Sequence, residues 1–378
     1  MMQTEFIGKN ALENIKKIIS DLGAKNILLV TGKDSYKNSG SEEKLIQYLG
    51  DAVIKRFFDF EANPNIKDVQ VGINIISSFK PDLVIAVGGG SVIDIAKLIN
   101  IFAVHVAKEK EIYEFVNESS SVKQAGLPLI AIPTTSGTGS EATHFAVVYI
   151  GNKKYSFAHE YVLPNFSIID SSLSYSNPAY IKACSGFDAL SQAIESFWAV
   201  GSTEESRSYS REAIKIILSS IEMAVLESDK KSMDRMSLAA NLAGKAINIS
   251  KTTAAHAVSY PITKFLDIPH GHAVALTLGS FFVINSHYSE SQLNDSRGIQ
   301  YFDNISKELL NLFDCSESEQ VSQRLNQIMS NIGLEANLKS IFSKKNIDYE
   351  LIKKEINLER LNNNPVKVNS SQIENLFK

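Results

Sequence analysis

Cysteine is nearly missing from this chain of 378 residues, which holds only Cys184 and Cys315. Two thiols exclude a disulfide framework and a thiolate metal centre, and they fit a reducing cytoplasm. The sequence also lacks any apolar run approaching the ~18 uninterrupted residues of a membrane span. Its opening, Met1-Met2-Gln3-Thr4-Glu5-Phe6, has neither the basic stretch nor the apolar run of a secretory signal. An excess of one charge is missing too: the formal net charge is -4. That balance gives no sign of a nucleic-acid or membrane-surface protein. Internal repeats and low-complexity tracts are absent, and the Lys- and Asn-rich final stretch reads as solvated surface. With 44% hydrophobic and 21% charged residues, the composition is that of an ordinary globular protein. The length suits two domains.

The first half alternates short apolar runs with helical patterns. Asn26 to Thr31 reads as a buried strand ended by Gly32, and Val53 to Phe60 as a second. Lys67 to Phe79 has helical spacing, and Pro81 restarts the chain into the strand Leu83 to Val87. A glycine triplet and a helix from Ser91 to Phe102 follow, then the strand Leu127 to Ile132, stopped by Pro133. Such alternation predicts a mostly parallel sheet with helices on both faces. Beyond Tyr180 helical patterns dominate: Ala189 to Ala199, Glu205 to Leu226, Met233 to Ile249 and Val274 to Ile284. The domain boundary is therefore expected near residue 180, with an α/β domain over 1–180 and a helical domain over 181–378.

Gly88-Gly89-Gly90-Ser91 lies between a strand and a helix, with Asp94 and Lys97 on that helix's first turns. Glycines let a backbone approach a pyrophosphate, and the free N–H groups of a helix start attract its charge. A plain tight turn would look the same, and the spacing is not the GxGxxG fingerprint. The loop Pro133-Thr134-Thr135-Ser136-Gly137-Thr138-Gly139-Ser140-Glu141 favours the ligand reading. Its small hydroxylated residues follow a buried strand, where ligands bind in open α/β sheets. Together the two loops point to a phosphate-bearing cofactor.

Asp188 and Gln192 are four residues apart and share a helix face. His256 and the Pro269-His270-Gly271-His272 stretch come later. One carboxylate and two imidazoles suit Fe²⁺, Zn²⁺ or Mn²⁺, which with an open position polarises a carbonyl. Any single histidine is more often structural, and His105, His144, His159 and His287 are left in that class. The case rests on the set.

The glycine turn with Asp94 and Lys97, the Pro133 to Glu141 loop, Asp188, His256, Pro269-His270-Gly271 and a closing Asn362-Asn363-Asn364-Pro365 together resemble the iron-containing alcohol dehydrogenase family, in order and spacing along nearly the whole chain. The resemblance implies an N-terminal dinucleotide-binding, dehydroquinate synthase-like α/β domain, an all-helical C-terminal domain and a catalytic cleft between them. It implies that Asp188, His256 and His270 hold the metal, with Gln192 standing where the family usually has His. Tyr260 stands where many members carry a His near the nicotinamide, so a catalytic contact or simple packing is open to it. A homodimer is implied by analogy.

Members preferring NAD tend to carry an acidic residue after the first strand. Here Gly32 occupies that place, followed by Lys33, Asp34, Ser35 and Lys37. Gly32 leaves room for a 2′-phosphate and a lysine neutralises it, which favours NADP(H) over NAD(H). The expected cofactor contacts are Gly32, Lys33, Ser35, Gly88, Gly89, Gly90, Ser91, Asp94, Thr134, Thr135, Ser136 and Thr138.

Ser250-Lys251-Thr252-Thr253 is expected to open the helix carrying His256 and to gather a cation, hydroxyls and free N–H groups into an anion cradle. Helix capping with Lys251 in solvent is the alternative. Arg207 and Lys154 are weaker candidates for the same anion. This stretch is similar to the phosphonoacetaldehyde reductase branch of the family, which makes 2-hydroxyethylphosphonate in phosphonate biosynthesis. Lys251 and Tyr260 are then the catalytic candidates. Competing expectations are reduction of another small aliphatic, sugar-derived or phosphorylated aldehyde, a dehydroquinate synthase-like lyase, and a non-catalytic dinucleotide-binding protein.

Overall fold

The structure, a computed structural model, describes residues 3–61, 64–105, 109–117, 122–151, 153–345 and 347–378. The chain divides into two compact units, Met1–Asn177 and Pro178–Lys378. Among the described residues, no helix is long and apolar enough to cross a membrane.

The first unit contains β1 (Thr4–Ile7), β2 (Asn26–Thr31), β3 (Val53–Phe57), β4 (Leu83–Gly88), β5 (Leu129–Pro133), the hairpin β6 (Phe145–Ile150) and β7 (Lys153–Ala158), and β8 (Phe166–Ile169). Its helices are α1 (Asn14–Leu22), α2 (Ser35–Asn38), α3 (Ser41–Leu49), α4 (Ile66–Phe79), α5 (Gly90–Phe102) and α6 (Glu109–Asn117). Six strands form one sheet in the order β1-β8-β5-β4-β2-β3, every neighbouring pair parallel.

The apolar runs of β2 and β4 follow from burial on both faces. Ile27, Leu29, Leu83 and Ile85 join Ile15, Ile18, Leu45 and Leu49 of α1 and α3 in one core. Leu28, Val30, Val84 and Ala86 join residues of α4 and α5 in the other. The chain leaving β2 thus turns to one face and the chain leaving β4 to the opposite face. Since β2 and β4 are neighbours, their carboxyl ends form a switch point, where open α/β sheets bind ligands.

The second unit is helical: α7 (Ala179–Trp198), α8 (Glu204–Leu218), α9 (Ile221–Leu226), α10 (Lys230–Ser250), α11 (Ala254–Leu266), α12 (His270–Ser286), α13 (Ile299–Leu312), α14 (Ser318–Asn331), α15 (Leu338–Lys345), α16 (Tyr349–Lys354), α17 (Leu358–Asn362) and α18 (Ser370–Phe377). From Phe187 to Trp198, α7 is buried all round, and it carries Asp188, Ser191, Gln192, Glu195 and Ser196 inward. Polar groups so placed need partners.

Some boundaries differ from the sequence reading. The helix expected over Glu205 to Leu226 breaks into α8 and α9 at Ser219-Ser220, where Ser220 leaves the helical conformation with φ of -133°. The second strand ends at Phe57, and Phe58 turns aside to lie 4.5 Å from the Arg56 guanidinium. The sequence reading passes over the short strands β1 and β8 and the hairpin β6–β7, although β6 is a continuous apolar run from Phe145 to Ile150.

Lys97 of α5 is fully buried and ties that helix to the segment after β5. Its ammonium donates to the Ser140 carbonyl (2.5 Å), the Thr143 carbonyl (2.8 Å) and hydroxyl (3.0 Å), and the Phe145 carbonyl (2.9 Å). Burial pulls it down to about 8, against the charges of Asp94 and Glu141. Lys97→Met would strand these acceptors. A loss of about 3 kcal/mol in urea unfolding is expected, and a loss under 1 would show the tether to be dispensable.

Candidate active site

In the first unit the glycine turn and the turn after β2 sit side by side. A Cβ at Gly88 would meet Val92 Cγ2 at 2.5 Å, and one at Gly32 would meet Ser35 Oγ at 2.1 Å and the same Val92 carbon at 3.9 Å. A Cβ at Gly90 would meet Thr138 at 2.9 Å, whereas at Gly89 the nearest atom, of Thr135, stands at 3.6 Å. Gly88 and Gly90 are thus required by close packing, and Gly89 leaves room open. Thr134 is fixed by its N–H to the Gly88 carbonyl (3.0 Å). Gly89, Gly90, Ser91, Thr135, Ser136 and Thr138 are partly exposed along this ledge at the start of α5, while Lys33 and Ser35 are exposed beside it.

Asp94 departs from the sequence reading. Its carboxylate accepts from Ser140 Oγ (2.5 Å) and the Val147 N–H (3.0 Å). It fastens the loop that forms the ledge and presents no free oxygen pair to a ligand.

In the second unit Asp188, His256 and His270 converge: one ligand atom from each lies within 4.8 Å of the others. Gly271 makes this possible, because a Cβ there would stand 2.0 Å from the Cys184 carbonyl oxygen and 2.9 Å from Asp188 Cβ. Only glycine lets the start of α12 press against α7 and bring His270 beside Asp188.

Glu195, which the sequence reading passes over, completes the arrangement. It lies seven residues beyond Asp188 on the same face of α7 and is 0% exposed. One carboxylate oxygen accepts from the Thr253 N–H (3.1 Å), the Thr253 hydroxyl (2.9 Å) and the His256 N–H (3.2 Å). The other accepts from His256 Nδ1. That bond fixes the ring so that Nε2 points to Asp188 Oδ1, 3.5 Å away. Two ligand atoms each about 2.1 Å from a tetrahedral ion stand about 3.4 Å apart, so the spacing suits a metal. Burial alone would lower the His256 imidazole, but Glu195 and Asp188 together push it up to about 10. The pocket therefore demands a positive charge, a proton or a divalent ion in its place. Gln192 is buried one turn after Asp188 on the same helix. The donor set fits the ion that the sequence implies.

Tyr260 stacks on His270 with ring centroids 5.8 Å apart and planes at 27°. His272 stays out of the group: Nε2 donates to the Glu335 carbonyl (2.7 Å) and Nδ1 faces the Tyr180 hydroxyl (3.1 Å). Pro261 interrupts α11, and the Ala257 carbonyl it cannot serve accepts the Asn357 N–H instead (3.4 Å).

The anion cradle is not assembled as the sequence reading expects. Ser250 ends α10 and is buried, its hydroxyl bonded to Ser196 Oγ (2.7 Å). Thr253 precedes α11, its hydroxyl spent on Glu195 and on Trp198 Nε1 (2.9 Å). Thr252 is buried, and its carbonyl accepts from Asn363 Nδ2 (3.0 Å). Lys251 lies between the two helices with φ of 60° and pairs with Glu359 at 2.6 Å. Arg207 is held by Glu204 (2.6 Å) and the Tyr301 hydroxyl. These partners lie far away in sequence or compete locally, so residue type alone does not reveal them.

Known proteins resemble this chain along nearly its whole length. The family model described as "Iron-containing alcohol dehydrogenase" matches residues 3–171, and "Fe-containing alcohol dehydrogenase family, C-terminal" matches residues 182–378. The chain is 33% identical to long-chain-alcohol dehydrogenase 1 of Geobacillus thermodenitrificans, over 72% of this chain and 69% of that one. It is 31% identical to the NADPH-dependent butanol dehydrogenase of Clostridium saccharobutylicum, over 81% and 78% respectively. Its fold is similar to the crystal structure of sulfoacetaldehyde reductase from Bifidobacterium kashiwanohense in complex with NAD+. That likeness has a TM-score of 0.85 and 29% identity, covering 99% of this chain and 96% of that one.

Two substitutions test the metal group. Glu195→Gln keeps the hydrogen-bond acceptor but removes the charge, and metal affinity should fall roughly ten- to a hundredfold, measured by competition with a chelator. An unchanged affinity would leave Glu195 a packing residue. Gly271→Ala should lower both bound metal and thermal stability, and normal metal content would show that α12 can shift without cost.

Proposed function

This chain belongs to the iron-containing alcohol dehydrogenase family, and we propose that it uses NADPH to reduce a small aldehyde with an anionic tail, converting phosphonoacetaldehyde to 2-hydroxyethylphosphonate. The observation that carries the reading is the convergence of Asp188, His256 and His270, with Glu195 gripping the far nitrogen of His256. When bound, a divalent ion such as Fe²⁺, Zn²⁺ or Mn²⁺ polarises the aldehyde carbonyl and the reduced nicotinamide supplies hydride to its carbon.

The residues of the chain supply the rest. Glu195 holds the His256 imidazole in the tautomer that leaves Nε2 available. Gln192 offers an amide oxygen from the same helix as Asp188. Tyr260, stacked on His270, is assigned the proton relay that converts the product oxygen to an alcohol. The glycine ledge, with Ser91, Thr135, Ser136 and Thr138, receives the dinucleotide phosphates through backbone N–H groups and hydroxyls. The missing acidic residue at Gly32 supports NADPH, and a relative named as NADPH-dependent adds to that support.

The anionic tail is supported by the likeness to a reductase of sulfoacetaldehyde, an aldehyde with a sulfonate in the place of a phosphonate. Its countercharge falls to Lys251, five residues before His256. The pair with Glu359 is exposed, at 47% and 59% of the two side chains. Such a pair contributes only about 0–1 kcal/mol, so a phosphonate dianion can displace the carboxylate. The homodimer implied by the resemblance is to be checked by light scattering.

NADPH oxidation by the metal-loaded enzyme should be at least about tenfold more efficient, in kcat/KM, with phosphonoacetaldehyde than with propanal; sulfoacetaldehyde is the competing arm. Lys251→Ala should raise KM for the anionic aldehydes about tenfold and spare propanal, and Glu359→Gln should lower it. Equal losses with every aldehyde would remove Lys251 from substrate binding. Turnover of propanal alone would refute the anionic substrate.

A further inference from the structure

The turn after β2 holds a cation that the sequence reading does not single out. Arg56 lies on β3, opposite Leu29 in the parallel ladder. Its side chain runs forward to the carboxyl end of β2. Nε donates to Thr31 Oγ1 (2.8 Å), and Nη2 donates to the carbonyls of Gly32 (3.1 Å) and Lys33 (3.3 Å). The rings of Tyr36 and Phe58 lie 4.6 and 4.5 Å from the guanidinium carbon. Five contacts thus fix its plane.

The charge of this group is not neutralised. Arg207, Arg211, Arg297 and Arg324 each meet a carboxylate. Arg56, among the described residues, meets only neutral oxygens and rings, and its Nη1 carries no hydrogen bond. A fixed guanidinium with one free edge and no counterion is arranged for an anion. Its place identifies which anion. Gly32, which it grips, shares Val92 with Gly88 of the glycine ledge. At a switch point of this kind the pyrophosphate lies at the glycine turn and the adenosine ribose lies over the end of the adjacent strand. The adjacent strand here is β2. Where NAD-binding sites put a carboxylate for the ribose hydroxyls, this chain has Gly32 with an arginine behind it.

We propose that Arg56 recognises the 2′-phosphate of NADPH and sets the preference of this enzyme for NADPH over NADH. Nη1 supplies a charge-assisted bond to the phosphate, and the bonds to Gly32 and Lys33 shape the turn that receives it. Lys33 and Lys37 are exposed and add a more mobile charge. The inference rests on the NADPH part of the proposed function and is independent of the aldehyde.

Calorimetric titration of the metal-loaded full chain with NADPH and NADH tests it, using wild type, Arg56→Gln and Arg56→Lys, with thermal unfolding measured for each. Wild type should hold NADPH more tightly. Arg56→Gln should weaken NADPH roughly ten- to a hundredfold and NADH by less than about twofold. Arg56→Lys, which keeps charge but loses the fork, should recover part of the NADPH affinity. If Arg56→Gln weakens both cofactors equally and Arg56→Lys restores neither, the residue only buttresses the turn and the proposal is overturned. If NADPH preference survives Arg56→Gln, the exposed lysines carry it and the proposal is again overturned. Equal affinities in wild type would refute the NADPH reading as well, while the aldehyde panel would still test the substrate independently. Should Arg56→Gln fail to fold, the Arg56→Lys titration decides alone: loss confined to NADPH supports the proposal, and no selective loss overturns it.

Discussion

A carboxylate sealed inside the helical unit, with an imidazole bound to it, is the constraint on which the candidate metal centre depends. Glu195 has no access to water, so every lone pair it exposes must find a donor, and the start of α11 supplies three while His256 Nδ1 supplies the fourth. Removing any of these would leave a buried charge underserved, at a cost of several kcal/mol. The helix start is therefore locked to α7, and with it the direction of His256 Nε2. Gly271 does the equivalent work from the other side by letting α12 come close enough to place His270. Asp188 is common to both contacts. The geometry is specified by packing and hydrogen bonds within the unit.

The α/β unit uses the same logic with different means. Its ledge is formed by loops, which on their own would be pliable. Asp94 and Lys97, both from α5, grip the segment between Ser140 and Val147, so the hydroxylated loop is held to the helix whose start it borders. Asp94, which looks like a ligand contact in the sequence, is an internal fastener, and the surface left for a dinucleotide is mostly backbone, glycine and small hydroxyls.

Much of this is legible in the sequence. The strands β2, β4 and β5 announce themselves as apolar runs because both of their faces are covered, and α7 and α12 as long helical patterns. Asp188, His256 and His270 are visible as a set through their resemblance to a known family. Glu195 is not, since a lone glutamate on a helix is ordinarily solvated; its spacing of seven from Asp188 is the available signal. Arg56 is invisible because its role needs the register of β3 against β2. Arg207 misleads because its guanidinium is already held by Glu204, and the partner of Lys251, Glu359, lies 108 positions away from it. Charge in a sequence shows what a residue carries, but the fold determines what it is already bound to.

The single tryptophan of the chain sits on this same strut. Trp198 is one turn beyond Glu195 on α7, and its indole N–H ends on the hydroxyl that Glu195 also holds. One hydroxyl therefore stands between the only indole of the chain and the carboxylate that orients His256, so the tryptophan is built into the support of the candidate metal centre.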